Sequence, residues 1–106
     1  MTDRELLELA AKAAGFQNYT MRGAYVFVET GAARGNSGYY WNPLTDDGDA
    51  LRLAVKLSLH ISVFVDAIGV GTPGAGYDEL KYEGDPLAAT SRAIVRAAAE
   101  IGRSMV

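Results

Sequence analysis

The sequence predicts an α+β domain, a three-layer α/β/α sandwich of order α-β-β-α-β-β-α around a four-stranded, mainly antiparallel sheet. Three observations predict it. Three stretches carry apolar residues at helical spacing. Between them lie paired runs of β-branched and aromatic residues, each pair separated by a glycine-rich connection. Two of these runs, Tyr25 to Val28 and Val63 to Val65, are apolar at consecutive positions, which calls for helices on both sheet faces.

The first helix is expected from about Asp3 to Ala14. Thr2 and Glu5 have capping-box spacing, Leu6, Leu9, Ala10 and Ala13 share a face, and Gly15 follows. Ala24 to Val28 and Tyr39 to Trp41 flank Gly31 to Gly38 and read as the first hairpin. Asn42-Pro43 ends its second strand, and Thr45 or Asp46 caps a helix whose stripe is Ala50, Leu53, Ala54 and Leu57, widened by Leu51 and Val55. The second hairpin is read as strands Ile61 to Ile68 and Tyr77 to Tyr82 with Gly69 to Gly76 as its loop. Asp85 then caps the last helix, Pro86 takes its first position, and Leu87, Ser91, Ile94, Val95, Ala98 and Ile101 form the stripe that ends near Gly102.

At 106 residues the chain is the size of one domain, residues 1–106. A 49% hydrophobic fraction is enough to build a core. Net charge of −3 gives no overall attraction to phosphate backbones or anionic lipid, so neither nucleic acid nor membrane is expected as a partner. The absence of cysteine excludes disulfides, thiolate metal sites and a thiol nucleophile, and fits the cytoplasm. The N-terminus lacks the pattern of a signal peptide, and the Asn18-Tyr19-Thr20 sequon is read as coincidence.

Gly69-Val70-Gly71-Thr72-Pro73-Gly74 has the spacing of a dinucleotide-binding turn, but Pro73 and more glycines follow where a helix should begin. It is read as a hairpin loop whose bare amides suit an anion. Asp46, Asp47 and Asp49 lack the spacing of a calcium loop and are expected to cap the helix they start. His60 stands without a nucleophile and an orienting acid around it, so it is read as structural, and Asp66 needs a partner if buried. Arg96 and Glu100 have the spacing of an exposed ion pair. Neither catalytic residues, cofactor nor metal is expected.

The strongest ligand-binding candidates are Arg34 and Asn36 in the glycine-rich connection with Tyr39, Tyr40 and Trp41 beside them. Aromatic rings stack on bases, while arginine and amide groups hydrogen-bond phosphate or ribose. Strand alternation places Tyr39 and Trp41 on one face and Tyr40 on the other.

The run from Trp41 to Leu57 (Trp-Asn-Pro-Leu-Thr-Asp-Asp-Gly-Asp and the helix after it) resembles the signature of the phage ABA-sandwich domain family, and Ser91 to Gly102 is similar to that family's C-terminal helix. The resemblance implies helices on both faces of a sheet and an origin in a phage or prophage, acting in the cytoplasm of an infected or lysogenic bacterial cell. It carries no catalytic residues to transfer. The expected function is therefore that of a non-enzymatic phage accessory protein that sequesters a nucleotide-derived immune signal, of cyclic nucleotide or cyclic ADP-ribose type. The alternative is an interaction module that docks on a host or phage protein through exposed aromatics. A homo-oligomer is expected to complete the pocket.

Overall fold

The computed structural model describes residues 1–29, 38–73 and 76–105. The elements follow as α1 (Asp3–Ala13), β1 (Tyr19–Arg22), β2 (Tyr25–Glu29), β3 (Gly38–Trp41), α2 (Asp47–Lys56), β4 (His60–Val63), β5 (Ala67–Thr72), β6 (Gly76–Lys81) and α3 (Pro86–Ser104). The α+β class is as the sequence implies. The single four-stranded sheet is not: the strands form two three-stranded antiparallel sheets, ordered β1-β2-β3 and β4-β5-β6. Each meander runs into a helix capped by an aspartate, Asp46 for α2 and Asp85 for α3.

Two strands were hidden in the sequence. In β1, Tyr19 and Met21 turn inward while Thr20 and Arg22 face solvent, and Gly23 at φ 61 allows the tight turn into β2. The second is β5, which occupies the stretch expected to be a loop. The apolar run Ile61 to Ile68 folds back on itself at Phe64 to Asp66, where the Phe64 amide donates to the Ala67 carbonyl at 2.8 Å. The Tyr82 hydroxyl donates to the Val65 and Phe64 carbonyls at 3.0 and 3.3 Å, so the turn is held by a side chain from β6's end. Asp66 is exposed in this turn and is not the buried strand residue considered above.

Gly69 and Gly71 are therefore mid-strand residues. Tyr77, across from Gly71, lays its ring over Gly69, and a Cβ there would meet the phenol ring, with Cε2 at 2.9 Å. Phe27 covers Gly38 in the same diagonal manner, its Cε2 standing 2.7 Å from where a Cβ would be. An aromatic ring laid over a strand glycine protects its backbone from water and pins the register.

The helices supply one layer. α1 and α3 share the most extensive helix contact, α1 rests on the first sheet, α3 on the second, and α2 lies against α3. Leu7, Val26, Trp41, Leu53, Ile94 and Ala98 belong to one core cluster, while Ile68 and Val70 form a smaller one with Ala93 and Ala97 of α3. Val26, Val28 and Trp41 all come from the inward side of the first sheet, so α2 covers the same face as α1. This corrects the three-layer expectation: the far face of the first sheet, with Tyr25 51% and Tyr40 58% exposed, carries no helix among the described residues. Leu51, Val55 and Leu87 also face solvent rather than extending their helical stripes. Arg96 pairs with Asp78 at 3.5 Å, and Glu100 with Arg103 at 3.4 Å, in place of the expected Arg96–Glu100 pair. No helix among the described residues is long and apolar enough to cross a membrane.

Candidate functional site

The Trp41–Asp49 signature is a joint between strand and helix. Asn42, buried at the end of β3, sends its amide hydrogen to Asp49 Oδ2 at 3.0 Å and its side-chain Nδ2 to the Ala24 carbonyl at 3.3 Å. Its Oδ1 accepts from the Leu44 amide at 3.0 Å, and its carbonyl accepts from Thr45 and Asp46. Asp46 caps α2 by accepting from the Asp49 amide at 2.9 Å. Asp49 is buried and fully used, with Oδ2 on Asn42 and Oδ1 receiving Arg52 Nη2 at 2.8 Å. Asp46 and Asp49 therefore serve the helix start with their oxygens turned toward amides and a guanidinium, while Asp47 stands exposed in the first turn.

This joint presents a ledge beside β3. Trp41, 4% exposed, meets the Phe16 ring edge-on at 5.1 Å, and Phe16 meets Tyr39 edge-on at 6.5 Å. Tyr39 remains 44% exposed. Two cations border the rings. Lys56 Nζ lies 5.7 Å from the Phe16 centroid and makes no ion pair among the described residues. Arg52, one turn earlier on α2, is 73% exposed beyond its bond to Asp49. That bond holds the guanidinium above its ordinary pKa against the opposing effect of burial, with the Asp49 and Asp46 charges and the Tyr39 phenol adding to it. The result is an exposed Tyr39 phenol beside Phe16, with Lys56 bordering the Phe16 ring and Arg52 one helical turn away on α2.

Of the sequence-level candidates, Tyr39 stands on this ledge and Trp41 behind it as its support. Tyr40 points to the opposite face, packed edge-on against Tyr25 at 5.8 Å and Phe27 at 5.3 Å. The five expected residues do not all line one surface. Arg34 and Asn36 lie outside the described residues, in the segment joining the paired positions Glu29 and Gly38. Sequence reasoning missed Phe16, Arg52 and Lys56. The signal available was the i,i+4 spacing of Arg52 and Lys56 on a helix already placed, with Gly15-Phe16 returning the chain from α1.

Other places offer less. A groove of about 740 Å³ between α1, α3 and the β5–β6 hairpin is lined by Arg92 and Arg96, but Arg92 bonds Asp3 at 2.8 Å and Arg96 bonds Asp78, and Glu100 adds a further carboxylate. His60 is exposed at the start of β4. The described residues contain no group of three side chains placed to hold a metal ion. No family model matches the chain, and neither does any curated protein or solved structure.

Proposed function

We propose that this protein is a non-catalytic binding protein whose ligand lies on the Tyr39 ledge. The observation that carries the reading is the exposed Tyr39 ring packed edge-on against Phe16, which also meets buried Trp41 and is bordered by Lys56, with the exposed Arg52 one turn away on α2. A ring accepts a base by stacking, and fixed cations accept phosphate. That pairing of chemistries suits a small nucleotide-derived molecule of cyclic nucleotide or cyclic ADP-ribose type, which needs both at short range. The biological setting rests on the likeness of residues 41–57 and 91–102 to phage ABA-sandwich proteins: a phage or prophage product that sequesters an immune signal in the bacterial host. Arg34 and Asn36 belong to this reading through their place in the sequence, between β2 and β3.

The test is a thermal-shift panel of cyclic oligonucleotides and cyclic ADP-ribose isomers, followed by heat denaturation and recovery of the compound. A ligand at a hundred times its Kd stabilises the fold by about 2.7 kcal/mol, which for a chain of this size raises Tm by roughly 10 °C. Intact recovery is expected, and Tyr39→Ala and Lys56→Glu should each remove most of the shift. A panel without any shift, or with a converted product, refutes the sequestering function.

A second reading is favoured by one observation, the solvent-open aromatic face of the first sheet. Tyr25, Phe27 and Tyr40 there form the kind of patch that docks on proteins. Its discriminating result is a stoichiometric complex with a host or phage protein that Tyr40→Glu disrupts and Tyr39→Ala leaves intact.

A further inference from the structure

Neither the fold nor the Tyr39 ledge accounts for Gly71 or for the single histidine, and strand pairing brings the two together. Across the second sheet the register runs His60, Gly71, Tyr77 in one row and Ser62, Gly69, Glu79 in the next. Directly paired residues share a face, and Ile68 and Val70 are buried against α3. By alternation these six residues therefore lie on the face turned away from that helix, and Lys81, two residues beyond Glu79, lies with them.

Tyr77 is the centre of this face. Its ring rests on Gly69, yet the residue is 56% exposed, so a broad part of the ring is open to solvent. His60 and Glu79 are exposed, Ser62 is half-buried, and neither His60 nor Glu79 makes an ion pair among the described residues. Gly69 has a steric reason to be glycine, because the Tyr77 ring occupies the place of its Cβ. Gly71 has none. A Cβ there would stand 3.6 Å from His60 Cβ and 3.8 Å from Tyr77 Cδ2, both ordinary contacts, and its φ is outside the left-handed region. The pairing also runs through Gly71 without a bulge. A strand glycine weakens its strand, and one that serves neither bulge nor bend marks a place where another group approaches the backbone closely. Its effect here is a notch of bare backbone between the imidazole and the phenol.

We propose that this face is a second binding site, for a neutral saccharide, with one sugar ring stacked on Tyr77 and its edge seated over Gly71. A sugar ring presents C–H groups on its faces and hydroxyls around its rim. The first suit an aromatic face, and the second need donors and acceptors side by side, which His60, Ser62, Glu79 and Lys81 supply. Charge selects against a phosphate: Glu79 and Lys81 offset one another, and no arginine stands in these paired rows. The same rows hold Glu79 as their one carboxylate, whereas the common routes of glycoside cleavage use two, so the sugar is bound and not cut. On so open a surface a single hexose is expected to bind with a Kd of about 1–10 mM.

The test is an amide NMR titration with the methyl glycosides of glucose, galactose, mannose and N-acetylglucosamine, each to about 50 mM, and with adenosine monophosphate as the charged comparison. The expected result is a saturable shift of the Gly69, Gly71 and Tyr77 amides with at least one glycoside. Gly71→Ala should weaken that binding roughly fivefold or more while leaving Tm unchanged or higher, because its Cβ has room and alanine restricts the unfolded chain. Glu79→Ala, a change at an exposed position, should weaken it by a similar factor through the lost acceptor. No saturable shift with any glycoside overturns the site. Shifts indifferent to both variants overturn it too, because they put the sugar elsewhere. Equal or tighter binding of adenosine monophosphate at these amides overturns the neutral ligand class. The Tyr39, Arg52 and Lys56 amides report the ledge separately, so either site can fail without the other.

Discussion

Replacing Gly102 by alanine is the sharpest test of how the helical layer packs. Gly102 is inside α3, where alanine is ordinarily preferred by about 1 kcal/mol because it restricts the unfolded chain and favours the helix. Here a Cβ would run into the Leu9 carbonyl oxygen of α1, with the carbonyl carbon at 2.8 Å and Leu9 Cα at 3.3 Å. These are backbone atoms, so no rotamer change relieves the contact. Restoring an ordinary separation of about 3.4 Å moves α1 away by roughly 0.6 Å or more, and a gap of that size forfeits a quarter to a half of each dispersion contact it opens. Leu6, Leu7, Ala10, Val95 and Ala98 lie in the same core cluster and would feel it. Overpacking of this kind costs about 1–3 kcal/mol, and more where the obstacle is backbone. Net of the helix preference, a loss of about 1–2 kcal/mol is expected, or a Tm lower by roughly 4–8 °C. Gly48→Ala in α2 is the matched control. Its Cβ would meet the end of the Arg52 side chain at 3.1 Å and Asp46 Oδ1 at 3.1 Å, so its effect should stay within about 0.5 kcal/mol. Thermal and urea unfolding by circular dichroism measure both. A Gly102→Ala protein as stable as wild type, or more so, refutes the close α1–α3 approach.

Two further outcomes follow from hydrogen bonding. Asp49→Ala strands the buried Asn42 amide hydrogen and should lower unfolding free energy by about 1–3 kcal/mol, whereas Asp49→Asn keeps an acceptor of the same shape and should lose less; equal losses in urea titrations would contradict the assigned bond. Glu5 is held below the ordinary carboxylate pKa chiefly by the Thr2 side chain, which donates to Oε1 at 3.0 Å. A group depressed in this way stabilises the fold above its unfolded value and loses that contribution as pH falls through its folded value. Carboxyl-carbon NMR titration should therefore place Glu5 below the ordinary glutamate value, and Thr2→Val should bring it back; a midpoint unmoved by the substitution rules out the capping box as cause.

The helices were legible because each signal was local. Thr2 with Glu5, Asp46, and Asp85 with Pro86 mark starts that depend on atoms within four residues, and the structure places the caps there. The sheets were less so. β5 reads as a loop because Gly69 and Gly71 weaken strand propensity, and what restores it is the Tyr77 ring, six to eight residues downstream and adjacent only after the strands pair. The turn at Phe64 to Asp66 was hidden for the opposite reason. Phe64 and Val65 carry no turn chemistry of their own, and the Tyr82 hydroxyl that holds their carbonyls comes from the far end of β6. Gly102, placed by sequence at a helix end, is a point of helix contact instead, a difference visible only once Leu9 is beside it.

The same distinction between local and distant signals governs the candidate site. Alternation correctly divides Tyr39 and Trp41 from Tyr40, yet it cannot say which side carries a cation. That depends on where α2 lies after Asn42 has tied it to Ala24 and Asp49, because this joint brings Arg52 and Lys56 alongside Phe16 and Tyr39. The residues most prominent in the sequence, Trp41, Asn42, Pro43 and Asp49, are the most buried of the group and are accounted for by the joint. Their prominence marks the scaffold, and the surface available to a ligand consists of less conspicuous side chains that the scaffold holds in place. A substitution series confined to the signature would therefore lower stability and binding together. Tyr39, Arg52 and Lys56 are the positions at which binding should change more than stability.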